Sequence, residues 1–181
     1  MKRILLLLLI LLPSYLQIQA NNEETKTCAP MKGGKVCYSY NVKANNLSKA
    51  RLYEAIQKWA AKTYGSDIFF SNVSSNKGKG SILISSKVEL LLNETEKTFI
   101  KFRMRIQCYD DRCTIDITDI TYQYDPEKDK RYNVYPAEEV IAENGKKNKV
   151  DLIKDPLLFC NATHYFAEGL MTEVVEAIKR R

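Results

Sequence analysis

The chain has 181 residues and a formal net charge of +6, enough for one domain with a substantial core and too short for two comfortable ones. Its lysines and arginines are scattered, with only short clusters such as Lys146-Lys147 and Lys179-Arg180-Arg181. They read as solvated surface and set nucleic acid aside as a partner, since that needs cations grouped on one face with aromatics between them.

The chain opens on Lys2-Arg3 and an apolar run from Ile4 to Leu12, then Pro13 and a small residue at Ala20. This is the layout of a secretory signal peptide over residues 1–20, cut after Ala20. Nine apolar residues fall well short of the ~20 that a bilayer span needs, so the expectation is a periplasmic or secreted protein with no span after cleavage. Loss of Lys2 and Arg3 lowers the net charge to about +4. Five cysteines enter an oxidising compartment, where disulfides persist. An odd count leaves at least one thiol unpaired or paired outside the chain, and pairing among Cys28, Cys37 and Cys160 stays open.

Residues 21–34, polar with Pro30 and Gly33-Gly34, read as a linker. From Lys35 the pattern alternates, placing Val36, Tyr38, Tyr40 and Val42 on one face of a strand. The next stretch predicts a helix. Ser48 is its N-cap, Leu47 staples onto Leu52, Leu52, Ile56 and Trp59 recur at helical spacing, and Gly65 stops it. A strand over Asp67–Ser74 and a glycine-containing turn follow. Ser81–Leu92 is a strand with Ile82, Ile84, Val88 and Leu90 on one side. Phe99–Cys108 alternates without a fault, with Ile100, Phe102, Met104, Ile106 and Cys108 on one face and Lys101, Arg103, Arg105 and Gln107 on the other.

A hairpin turning through Tyr109–Arg112 then sets Cys108 opposite Cys113, Ile106 opposite Ile115, Met104 opposite Ile117 and Arg105 opposite Asp116. A slip of one residue destroys every match. Opposed Cα atoms lie ~4.5–5.5 Å apart, within reach of a disulfide, so Cys108–Cys113 is predicted to be a structural staple. A reactive dithiol would take Cys-x-x-Cys at a helix start, and zinc would need two further ligands. Past Thr118 the phase inverts, since Ile120, Tyr122 and Tyr124 fall on the other parity. A bulge near Thr118-Asp119 accounts for this. Residues 125–155 form a charged excursion with one helical turn. The closing segment carries an apolar stripe at Phe166, Leu170, Val174 and Ile178, predicting an amphipathic helix packed on the sheet.

The stretch from Ser48 through the hairpin resembles a family of exported Bacteroides-group proteins, a domain of unknown function with a TATA-binding-protein-like fold. The resemblance rests on Ser48, Leu52, Tyr53, Trp59, Asp111 and Arg112 and spans about residues 35–125. It implies a curved antiparallel sheet cupping helices, with no catalytic site or cofactor in its pattern; the cysteines are a departure from it. The bacterial setting also discounts the four Asn-x-Ser/Thr sites at Asn46, Asn72, Asn93 and Asn161.

Few residues then remain as site candidates. His164, the one histidine, excludes multi-histidine metal centres; with Cys160 four residues earlier it could form a thiol–imidazole pair, though no third, orienting group is identifiable. Asp110-Asp111 fits turn chemistry better than a calcium loop. Tyr38, Tyr40, Tyr122 and Tyr124, apolar bodies with polar tips, could line a ligand groove. The expectation is a single α+β domain over 35–181 (core 35–125, excursion and helix 126–181), with about five strands and two helices in the order β-α-β-β-β-β-α. Its function is non-catalytic binding, without a cofactor, of a small apolar or amphipathic ligand or an envelope partner in the sheet–helix cleft. The alternative is a secreted protein–protein or inhibitor-like module; a Cys160/His164 thiol enzyme ranks last.

Overall fold

The computed structural model describes residues 29–67, 69–124, 133–142, 150 and 152–180. The signal peptide, its cut after Ala20, most of the linker, Cys28 and much of the charged excursion lie outside the described residues. Eleven elements follow in order: β1 (Met31–Lys32), β2 (Lys35–Val36), β3 (Tyr38–Lys43), α1 (Lys49–Tyr64), β4 (Ser71–Asn76), β5 (Ser81–Leu91), β6 (Lys97–Tyr109), β7 (Arg112–Gln123), β8 (Val134–Pro136), α2 (Ala137–Val140) and α3 (Pro156–Lys179).

The main sheet is antiparallel in the order β3-β7-β6-β5-β4, and β8 also pairs with β7, making six strands rather than five. The described end of the 21–34 linker is not a tether. Met31 pairs with Val36 in a small hairpin around Gly33 and Gly34, both at positive φ, and Val36 is fully buried.

The hairpin register is the one that the alternation demands: Cys108 faces Cys113, Ile106 faces Ile115, Met104 faces Ile117 and Arg105 faces Asp116. The turn is tighter than the four-residue loop expected, because Tyr109 and Arg112 also pair, leaving Asp110-Asp111 at the tip with Asp111 at φ 61°. That tip seats α1. The Asp110 carboxylate accepts the Lys49 N–H at 2.8 Å, and Ser48 Oγ accepts the Arg51 N–H at 3.4 Å. Two acceptors thus meet the unsatisfied donors of one helix start. Gly65 ends the helix; a Cβ there would sit 2.3 Å from the Ala61 carbonyl oxygen.

The strand expected at Asp67–Ser74 begins only at Ser71. Asp67 diverts the chain first, its carbonyl accepting the Ser71 N–H at 2.8 Å in a turn that leaves Phe69 and Phe70 outside the core.

The phase inversion in β7 is a bulge. Lys101 faces Thr121 and Arg103 faces Thr118, so Asp119 and Ile120 together oppose Phe102, and Asp119 takes φ 52°. Aspartate tolerates that left-handed region better than most residues. The extra residue returns Ile120 and Tyr122 to the inner face. It also divides the outer edge of β7, where β3 pairs with residues 112–117 and β8 with 121–123. β2 and α2 pack beside the division, tied by the Val36 N–H donating to Glu138 Oε1 at 2.9 Å.

The core fills one face only. Ile82, Ile84, Ile100, Met104, Ile106 and Ile115 are fully buried, with α1 and α3 packed over that side. α3 runs 24 residues and buries Leu170, Val174 and Ile178 of the expected stripe, while Phe166 is only partly buried and Phe159, outside the stripe, is fully packed. No described helix is long and apolar enough to cross a membrane.

Candidate functional site

The tyrosines expected to line a groove do not line one. Tyr38 and Tyr122 are buried on the inner face. Tyr122 and Tyr124 pack edge-on to Phe159 of α3, with ring centroids 5.1 Å apart in both pairs, and Tyr124 also hydrogen-bonds Glu96. Tyr40 is half-buried against the same core. Alternation reports which face a side chain takes, and α3 closes over that face, so the four rings fill the seam. Among the described residues, nothing hydrogen-bonds the buried Tyr38 hydroxyl.

The Cys108–Cys113 disulfide is likewise not formed. The two cysteines stand opposite each other as the register requires, yet both are free thiols at 0% exposure. Burial pushes Cys108 up to about 11 and Cys113 up to about 12. The thiolate, the form that attacks, is thereby suppressed. Cys160 is also sealed in the core, and its proposed partner His164 turns its Nε2 to Glu168 Oε1 at 3.5 Å. A thiol with no exposed surface cannot meet a substrate. Among the described residues, no group of three or more His, Cys, Asp or Glu could hold a metal ion.

The other face of the sheet is where the chain leaves chemistry exposed. Alternation on β6 sends Lys97, Phe99, Lys101, Arg103 and Arg105 outward, all exposed, and no described helix packs over them. Residues two apart on a strand are ~6.8 Å apart, so Lys101, Arg103 and Arg105 make a row of three cations at that interval. Lys87 of β5 joins it, directly opposite Lys101. Like charges in that position are destabilising, and the pair stands at the middle of the face. The cations read as scattered are thus gathered by the sheet.

Among the described residues, carboxylates answer only part of this charge. Glu89 pairs with Lys97 at 2.7 Å. Asp119, aimed outward by the bulge, holds Lys35 Nζ on Oδ1 at 2.8 Å and Arg103 Nη1 on Oδ2 at 2.9 Å. The Lys35 hydrogen bond first, then the charges of Lys35, Arg103 and Arg105, hold its carboxyl below the usual range. Asp116 accepts from Ser39 Oγ at 2.6 Å. Two hollows flank Arg103 and Asp119. One, about 240 Å³, lies toward Lys32, Lys35 and Arg105; the other, about 370 Å³, lies toward Lys87, Lys101, Phe99 and Val134.

The exposed aromatics on this face are already engaged. The Lys87 ammonium sits 4.7 Å from the Phe99 centroid and 5.9 Å from that of Phe70, and the Arg112 guanidinium sits 4.8 Å from that of Tyr109. These are cation–π distances. Each cation meets one face of its ring, and Phe70, Phe99 and Tyr109 stay exposed.

None of these residues was singled out as a site from the sequence. The signal was present in the polar half of the β6 alternation, but period 2 does not say that this half stays uncovered.

A family model described as a domain of unknown function (DUF4468) with TBP-like fold matches residues 38–123. A solved TBP-like protein from Parabacteroides distasonis is 59% identical, with 84% of this chain and 98% of that chain covered and a TM-score of 0.81. A solved DUF4468 family protein from Bacteroides ovatus is 20% identical over 84% of this chain and 91% of its own, with a TM-score of 0.72, which bears on the fold alone. No curated protein matches the chain.

Proposed function

The chain belongs to the DUF4468 family with its TBP-like fold, and from that premise we propose that it is an exported, non-catalytic binding domain. Its working surface is the open face of the sheet, and its partner is an extended acidic polypeptide segment. One observation carries this reading: Lys101, Arg103 and Arg105 stand in a row on the face that no described helix covers, with Lys87 beside them. Carboxylates on alternate residues of an extended peptide repeat at the same ~6.8 Å, and complementary charge guides both encounter and register. The apolar side of the larger hollow, Phe99 and Val134, accepts an apolar residue of the same segment.

Export rests on the basic and apolar opening of the chain. Expression in a bacterial host with its own leader should yield a mature chain beginning at Asn21; a chain retaining Met1 in the cytoplasm would overturn that part.

An alternating Glu-Thr octapeptide is the direct probe of binding. Calorimetric titration should show saturable binding that weakens steeply with added salt and is lost in the Arg103→Glu/Arg105→Glu variant. Equal affinity in that variant, or tighter binding of an eight-nucleotide oligothymidine, would reject the acidic polypeptide as partner.

A further inference from the structure

We infer that Asp119 is a resident stand-in for the partner's carboxylate, occupying the centre of the binding face and setting how acidic a partner must be to displace it. This deepens the reading above and rests on it.

The geometry is that of a carboxylate site already filled from within. Two cations from separate elements, Lys35 after the first hairpin turn and Arg103 in the middle of β6, converge on one carboxylate, each taking a different oxygen. Nothing about helix or strand formation requires it. The carboxylate arrives there because β7 carries one extra residue and Asp119 adopts φ 52°, a left-handed conformation that few residues other than glycine, asparagine and aspartate take. Arg103 and Lys35 keep 51% and 63% of their side-chain surface exposed, so an incoming anion reaches both without any part of the core opening. Arg103 uses one nitrogen on Asp119 and has four further N–H donors to offer. Both hollows share Asp119 and Arg103 as their common wall, so a segment crossing from one hollow to the other passes directly over this pair.

An acidic group arriving at Arg103 therefore meets the Asp119 charge before it gains the guanidinium. Removing that charge while keeping the backbone should strengthen binding, the opposite of what loss of an ordinary structural ion pair would do. The Asp119→Asn substitution keeps the backbone, because asparagine tolerates the left-handed conformation as aspartate does. At a separation of 4–7 Å in water the repulsion removed corresponds to a roughly three- to fivefold gain in affinity.

The test is calorimetric titration of the alternating Glu-Thr octapeptide into wild type, Asp119→Asn, Lys35→Ala and Asp119→Asn/Arg103→Ala. The expected result is a three- to fivefold tighter complex with Asp119→Asn, a gain that fades at high salt and disappears when Arg103 is also removed. Lys35→Ala breaks the same ion pair but leaves the carboxylate, so it should bind no tighter than wild type. It therefore separates removal of charge from loosening of the bulge. If wild type binds while Asp119→Asn binds equally or more weakly, or if Lys35→Ala gives the same gain, the stand-in role is overturned and the open-face reading survives. If neither wild type nor Asp119→Asn binds, the open-face reading fails and this inference with it.

Discussion

Cys108 and Cys113 lie side by side in the core with their thiols raised by burial to about 11 and about 12. At pH 8 the thiolate fraction is then roughly a thousandth or less at each, and no solvent reaches either sulfur. Iodoacetamide at that pH should leave both unlabelled in the folded protein and modify both once guanidinium unfolds it; rapid native labelling read by mass spectrometry would contradict the burial. Asp119 titrates in the opposite sense. Its folded pKa is depressed, chiefly by Lys35, so the stabilisation is present above the ordinary carboxylate value and is lost as pH falls through the folded one. The urea midpoint of wild type relative to Asp119→Asn should therefore decline as pH drops from 6 to 3. The difference is small because both partners are solvent-exposed, and a gap that widens toward pH 3 would have the wrong sign. Spacing alone put the two cysteines in register; how deeply the helices bury the hairpin is something a strand pattern does not encode.

At the scale of elements, α3 is fixed on the sheet by a short buried relay. Thr163 Oγ1 lies 2.7 Å from the Phe159 carbonyl oxygen and 2.7 Å from the Tyr122 hydroxyl. A carbonyl can only accept, so the threonine proton goes to Phe159, and Tyr122 must donate to Thr163. Thr163→Val keeps the shape and strands the tyrosine donor in the core, costing about 1–3 kcal/mol; Tyr122→Phe removes the bond at about 1 kcal/mol. The double variant should cost less than the sum, because valine beside phenylalanine leaves no orphaned hydroxyl. Chemical unfolding of the four proteins checks this, and strict additivity would mean that the two side chains do not interact. The same seam holds the tyrosines that the sequence suggests as a groove lining. Helix spacing shows that α3 has an apolar stripe and strand parity shows where Tyr38 and Tyr122 point, but neither says that one covers the other. By contrast the β6–β7 register and the bulge were legible, because a phase error there would have turned isoleucines toward water.

At the scale of the molecule, one face of the main sheet holds the fold together and no described helix covers the other, so stability and binding should respond oppositely to the same substitution. Lys101 and Lys87 face each other across β5 and β6, a like-charge pair that costs the fold a few tenths of a kcal/mol. Lys101→Glu converts this repulsion into an attraction on a strand whose inner residues, Ile100 and Phe102, are buried and untouched. The variant should be more stable than wild type by about 0.5 kcal/mol at low salt, with the gain shrinking toward zero in 1 M NaCl, where exposed charges are screened within ~3 Å. It should also bind the acidic octapeptide more weakly, since one of the three cations in the row has changed sign. Urea unfolding and calorimetric titration of the same preparation read both effects. A variant that is less stable than wild type, or that gains stability without losing affinity, would show that the unfavourable pair is not retained for binding.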